Sequence, residues 1–275
     1  MKIDDVGISR AILRDYSARL DRALESDVLV VGGGPSGLVA ATLLARRERR
    51  VVVLEKRLAP GGGVWGGGML FSTVVVQPEA EHLLKQFGVR YEATRLRAEA
   101  LRRAKARGAS APSGLLVAQA VELASALILT AVQSGVTILN AVSVEDVMVT
   151  EDRVTGLVVN FTPVEVTSMH VDPLSFRSRA VLDASGHDAV VAGLLQKHNF
   201  PLRTPSGKME GEGPMWAEKG EEAVVTYTRE IFPGAYVSGM AACAVFGGPR
   251  MGPIFGGMLL SGRRAAELIA ERIKK

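Results

Sequence analysis

Apolar residues recur every three to four positions through the start of the chain. Ile8, Ile12, Leu13, Tyr16, Leu20 and Leu24 fall roughly on one face, and this spacing predicts an amphipathic helix over residues 8–25. Ser26 and Asp27 break it. The stretch DVLVVGGGPSGLVAATLLARRERRVVVLEK, Asp27–Lys56, then reads as an apolar strand, a glycine turn, an Ala-rich helix, a second apolar strand and an acidic residue. Gln77–Gly88 reads as a helix and Val89–Ala93 as a short strand. Leu115–Ser134 reads as one long apolar helix, with a strand over Val136–Ala141 after it. Val142–Val149 and Arg153–Phe161 alternate with period two around the turn Thr150–Asp152, which predicts a β-hairpin. Arg179–Ala184 is a further strand, and Val224–Tyr227 and Ala235–Val237 are late strands. A final helix covers Gly256–Lys275, its cationic end suited to the helix dipole.

This order is a βαβ opening, an inserted β-meander and a late strand feeding a C-terminal helix. It predicts an α/β fold of Rossmann-like, dinucleotide-binding type. The likeness is to flavoproteins with two dinucleotide-binding domains, in which the C-terminal segment returns to the first sheet. Residues 1–275 are expected to form a single α/β dinucleotide-binding domain with a β-rich insertion around 142–180. The glycine turn has a physical reason for each glycine. Gly32 allows the tight turn, Gly34 lets the backbone approach a pyrophosphate, and Gly37 lets helix and strand pack closely. The helix opening near Ser36 points unpaired N–H groups at phosphates. Glu55 ends the second strand, where a carboxylate accepts hydrogen bonds from a ribose diol. The turn alone leaves open whether the dinucleotide is FAD or NAD.

The 275 residues, 47% of them hydrophobic, can bury a substantial core. No apolar run reaches the roughly 20 residues that span a bilayer. The charged start, MKIDDVGISRAILRDYSARL, lacks a signal-peptide core, so the expected location is the cytoplasm. Cys243 is the one cysteine, which excludes an intramolecular disulfide and a cysteine metal cluster; in MAACAVF it reads as a small buried hydrophobe. Much of the basic excess behind the net charge of +4 lies in Arg95–Arg107, read as a solvated helix or loop. It has no interleaved aromatics, so neither nucleic acid nor membrane is an expected partner.

The late strand departs from the flavoprotein pattern. There it usually ends in Gly-Asp, whereas YVSGM here ends in Gly239-Met240, and a thioether cannot accept as a carboxylate does. Two of the four histidines fall near carboxylates, in SMHVDP (Ser168–Pro173) and SGHD (Ser185–Asp188). His170, Asp172 and His187 together would suit a divalent transition metal such as Fe(II). On spacing alone, a solvated His170 and a turn-capping His187 are the slightly preferred reading. GGGVWGGG, Gly61–Gly68, permits close approach to a ligand, and Trp65 at its centre is expected to pack against something.

GGGPSGL, the Glu55-Lys56 pair, GGGVWGGG, SMHVDP, SGHD and GGPRMGPIFGGM together resemble the thiamine thiazole synthase family, in order and over nearly the whole chain. The segment around residues 90–115 is longer and more basic than the family pattern. The resemblance implies that NAD is a carbon source rather than a redox carrier. Nicotinamide is removed, the ADP-ribose is isomerised to a ketose and condensed with glycine, and sulfur is taken in to close an adenylated thiazole carboxylate. Fungal and plant members draw that sulfur from a cysteine two residues before the metal-binding aspartate. His170 stands there in this chain, so the resemblance is to the archaeal type, which uses free sulfide, needs Fe(II) and turns over repeatedly. It further implies Asp172 and His187 as iron ligands, with the site completed across a subunit boundary in a homo-oligomer, an octamer. Arg250 would hold glycine. Ser36, Glu55, Lys56 and Gly63 match NAD contacts, as do Val144 near adenine and Met240 near the dinucleotide. His170 is implied as a catalytic residue that orients substrate or moves a proton. The alternatives kept open are a ribose 1,5-bisphosphate isomerase, an FAD-dependent oxidoreductase and a non-catalytic NAD-binding protein.

Overall fold

The computed structural model describes residues 3–94 and 114–273. The basic run Arg95–Arg107 and the two terminal lysines lie outside them. A mixed sheet forms the centre, built from β1 (Glu25–Val31), β2 (Val51–Glu55), β6 (Thr137–Asn140), β9 (Leu174–Asp183), β10 (Arg229–Phe232) and β11 (Ala235–Val237). Its order is β10-β11-β9-β1-β2-β6, with β11, β9, β1, β2 and β6 mutually parallel and β10 antiparallel at the edge. The hairpin of β7 (Val142–Thr150) and β8 (Arg153–Phe161) joins through β8, which runs antiparallel to the first half of β9. A smaller antiparallel sheet has β5 (Leu116–Gln119) between β3 (Thr73–Val76) and β4 (Tyr91–Ala93).

The continuous apolar sequence of β1 follows from its place in the middle of this sheet. Val28 and Val30 face one core, with the helices Pro35–Ala45, Ala120–Gln133 and Gly256–Arg272; Leu29 and Val31 face another, with the hairpin and the helix Val190–Lys197. A parallel strand buried on both faces needs no polar alternation. Its C-terminal end, together with those of β2, β9 and β11, defines one edge of the sheet, where the glycine turn lies.

Two elements differ from the pattern reading. Leu115–Ser134 is not one helix: Leu116–Gln119 is β5, paired with β3 and β4, and the helix starts at Ala120. A short apolar run has no period that separates strand from helix, and here the two flanking strands decide. Val224–Tyr227 is not a strand but the end of the helix Ala217–Thr226. Gly220 and Val224, four residues apart, are its buried positions, and Val224 packs with Met240, Cys243 and Met251. The first helix forms as expected, over Asp5–Ala23, with Asp4 capping Gly7. The first half of its apolar face, however, is not covered within one chain: Ile12 and Leu13 are 63% and 65% exposed, while Leu20 and Leu24 pack against the core.

A buried carboxylate ties two of the helices together. Glu221 Oε2 accepts from Gly257 N–H at 2.7 Å, at the start of the C-terminal helix, and burial pushes its carboxyl up to about 7. The folded pKa lies above the ordinary value of 4.5, so this group's contribution to stability is full below 4.5 and fades as pH rises through 7. Glu221→Gln should therefore remove part of the pH dependence of unfolding between those values. At pH 8 the variant should be more stable than the native chain, by about 1–3 kcal/mol. Parallel pH–stability curves for the two proteins would exclude that role for Glu221.

Candidate functional site

Each glycine of the turn meets a different constraint. Gly32 sits at φ +98, and a Cβ there would lie 2.5 Å from the Ala184 carbonyl oxygen. A Cβ on Gly37 would lie 2.2 Å from the Gly32 carbonyl oxygen, inside the helix–strand contact. Gly34 and Gly63 are opposite cases, since a Cβ on either would have no atom within 4 Å. Their missing side chains leave open space beside the backbone. Gly34 is also the N-cap of the helix Pro35–Ala45 and makes no side-chain cap hydrogen bond, which leaves the helix start suited to an anion.

The surrounding residues lock this turn in place. Glu55, 6% exposed, accepts from Gly33 N–H and from Arg57 N–H, each at 2.7 Å. Gly61 N–H donates to the Gly33 carbonyl at 2.7 Å, which folds the Gly62–Gly66 turn and brings Gly62 against Gly34. Trp65 packs beside Gly61 and donates to the Pro60 carbonyl at 2.7 Å. The buried Ser36 hydroxyl meets Ser238 Oγ at 2.6 Å, joining the turn to the end of β11. Met240, also buried, follows at the start of the helix Met240–Phe246. The Lys56 ammonium pairs with Glu165 at 2.8 Å, while its carbonyl accepts from Thr162 Oγ1 at 2.7 Å. The lysine side chain is thus occupied by Glu165. Val144 is half-buried in β7 opposite Val159.

Beyond the end of β9 a second constellation is built. The fully buried Asp183 carboxylate accepts from Ser185 Oγ at 2.6 Å and from the amides of Ser185, Val191 and Ala192. Burial pushes this carboxyl up, against the pull of those donors. Its four hydrogen bonds shape the SGHD turn and the start of the helix Val190–Lys197, and so fix the backbone that carries His187. The His187 side chain, 51% exposed, places Nδ1 2.6 Å from Glu212 Oε1. Glu212 Oε2 in turn lies 3.7 Å from Arg250 Nε. The structure therefore brings His187 and Arg250 together through a carboxylate that the sequence reading does not single out. Its one sequence signal is an acidic residue held between two glycines, Gly211 and Gly213.

His170 and Asp172 are placed differently. Both are exposed, in the irregular segment between the helix Thr162–Thr167 and β9, where Asn160 Nδ2 holds the Val171 carbonyl at 3.1 Å. The expectation that His170, Asp172 and His187 come together is not met within one chain. Among the described residues, no three His, Cys, Asp or Glu side chains form a metal-holding group. The donor chemistry at His187 nonetheless fits a metal ligand. Carboxylates that hold one ring nitrogen and leave the other outward are the usual second-layer support of a metal-bound imidazole.

Comparison with known proteins agrees with the resemblance read from the motifs. The model of the Thi4 family matches residues 9–255. A curated thiamine thiazole synthase of Methanothermobacter thermautotrophicus is 47% identical over 275 residues, with 100% of both chains covered. One from Desulfosudis oleivorans is 49% identical, again with 100% of both covered. Among solved structures, the crystal structure of Thermovibrio ammonificans THI4 superposes with a TM-score of 0.90 at 42% identity, covering 100% of both chains.

Proposed function

The chain belongs to the Thi4 family and acts as a thiamine thiazole synthase, and on that premise we propose that it consumes NAD, glycine and sulfide in an Fe(II)-dependent, multiple-turnover reaction. The product is an ADP-linked thiazole carboxylate, and nicotinamide is released. In this reading the dinucleotide turn grips the adenylate end of a substrate. The open space beside Gly34 and Gly63 receives the pyrophosphate, and the uncapped helix start favours its charge. Ser36, Glu55, Lys56, Val144 and Met240 complete that handle. Arg250, with an exposed guanidinium, grips the glycine carboxylate as a planar fork.

Asp172 and His187 would hold the iron, which when bound supplies Lewis acidity at the reacting carbonyl or imine. Because the two residues stand apart in one chain, a homo-oligomer with shared sites, an octamer, would let Asp172 of one subunit serve a neighbour. Support for a partner chain comes from the exposed apolar groups around Asp172: Val166, Met169 and Val171 are 74%, 53% and 48% exposed. His170, two residues before Asp172, orients substrate or moves a proton there. The location we expect is the cytoplasm, and no helix among the described residues is long and apolar enough to cross a membrane.

One observation carries the sulfide assignment. Cys243, the single thiol of the chain, is fully buried against Gly248, and burial pushes its pKa to about 12. A protonated, enclosed thiol is a poor sulfur donor, so sulfur has to enter from outside. Anaerobic protein given Fe(II), NAD, glycine and sulfide should release more than one nicotinamide per chain and form the adenylated thiazole. Its intact mass should be unchanged afterwards. A single turnover with the loss of one sulfur from the chain would overturn the reading.

A further inference from the structure

The carboxylate between His187 and Arg250 is built into the fold. Residues 210–216 run beside the end of the helix Met240–Phe246 and the loop that follows it to Arg250, with one parallel bridge between Gly213 and Pro249. Glu210 N–H donates to Val245, Gly211 to Ala244, Gly213 to Gly248 and Trp216 to Arg250, all to carbonyls at 2.9–3.0 Å. Glu212 is thus carried on a segment hydrogen-bonded to the one that carries Arg250, and its side chain is only 18% exposed. The Asp183 network positions His187 from the other side. The two constructions converge on one carboxylate, with one oxygen for each partner.

The two contacts differ in kind. At 2.6 Å, Glu212 Oε1 accepts a full hydrogen bond from His187 Nδ1–H. That bond selects the Nδ1–H tautomer and leaves the Nε2 lone pair outward. At 3.7 Å, Oε2 attracts Arg250 by charge without occupying its donors. The guanidinium keeps its fork for an incoming carboxylate and is still held in place. We propose that Glu212 is a positioning residue that aligns the imidazole and the substrate-gripping arginine with each other. Glu212 itself does not touch the reacting atoms. The proposal rests on His187 and Arg250 having the roles given above.

The test uses full-length protein and the variants Glu212→Ala, Glu212→Gln and His187→Ala. Fe(II) or Co(II) is titrated anaerobically into metal-free protein, and glycine KM and kcat are measured separately. Loss of a group that supports a metal-bound imidazole lowers metal affinity by roughly 10–100-fold, and this is the expectation for Glu212→Ala. Glu212→Gln, which keeps the shape, should recover most of that affinity, because its amide oxygen still accepts from Nδ1–H. Its NH2 group would then face Arg250, so glycine KM should stay raised while kcat falls less. With the histidines labelled with 15N, the His187 ring, assigned by the signal lost in His187→Ala, should be the Nδ1–H tautomer in the native protein and in Glu212→Gln, and a mixture in Glu212→Ala. If Glu212→Ala binds metal and glycine as the native chain does while His187→Ala loses metal, the positioning role is overturned and the site reading stands. If His187→Ala also leaves metal binding and activity intact, the site reading fails and takes the positioning role with it.

Discussion

Replacing Gly37 by alanine is expected to prevent stable folding, whereas replacing Gly34, three residues earlier, is expected to strengthen the fold and abolish tight NAD binding. A methyl on Gly37 would sit 2.2 Å from the Gly32 carbonyl oxygen and 3.2 Å from the Val30 side chain. The first of these is backbone, held between β1 and the SGHD turn by the close approach of Gly32 to Ala184. Neither the helix nor the strand can move without opening the central sheet. Overpacking of this kind costs about 3 kcal/mol or more, a large share of the stability of an ordinary domain. Gly34 differs in both respects. Its φ of −77 and ψ of −179 suit alanine, and a methyl there meets nothing. Alanine also restricts the unfolded chain, so Gly34→Ala should gain about 0.4–1 kcal/mol. In the proposed site the same methyl would stand where the phosphates approach the helix start. Losing two charge-assisted amide contacts of about 1.5 kcal/mol each weakens NAD binding on the order of 100-fold. Thermal melts and NAD titrations separate the two effects. NAD binding to Gly34→Ala at native affinity would remove the turn from the substrate site.

That contrast also shows what the sequence could carry. The glycine turn is legible because its pattern is local: strand, turn, helix and acidic residue follow within thirty residues, and Gly37 answers to Gly32 of the same segment. The hairpin β7–β8 is legible for the same reason, through its period of two. Where spacing is silent, the reading goes astray. Leu116–Gln119 is a strand because β3 and β4 lie on either side of it, and those are distant in sequence. Glu212 is invisible because its partner His187 lies 25 residues earlier, and only the backbone hydrogen bonds between residues 210–216 and 244–250 bring Arg250 to it. His170 and Asp172 are the opposite case. They resemble a cluster with His187 because all three are chemically apt, yet within one chain they project from a separate exposed segment.

This separation leads to the second large effect. Asp172→Ala and His187→Ala, each alone, should lower thiazole formation by about 10²–10⁴-fold, the range that removal of a central catalytic group produces. Neither should change stability by more than about 0.5 kcal/mol, since both side chains are exposed and neither belongs to the core. The two inactive proteins then offer a test that activity alone cannot give. If a site takes Asp172 from one subunit and His187 from its neighbour, a Asp172→Ala subunit still supplies the histidine and a His187→Ala subunit still supplies the aspartate. Oligomers reassembled from an equal mixture should therefore regain about a quarter of the native activity, because half the chains can serve on each side of an interface. Sites contained within single chains would regain none. A mixture as inactive as its components, in oligomers shown by mass to be mixed, would return Asp172 to the chain that carries His187. The exposed segment around residue 172 would then have to fold inward to meet the imidazole when substrate binds.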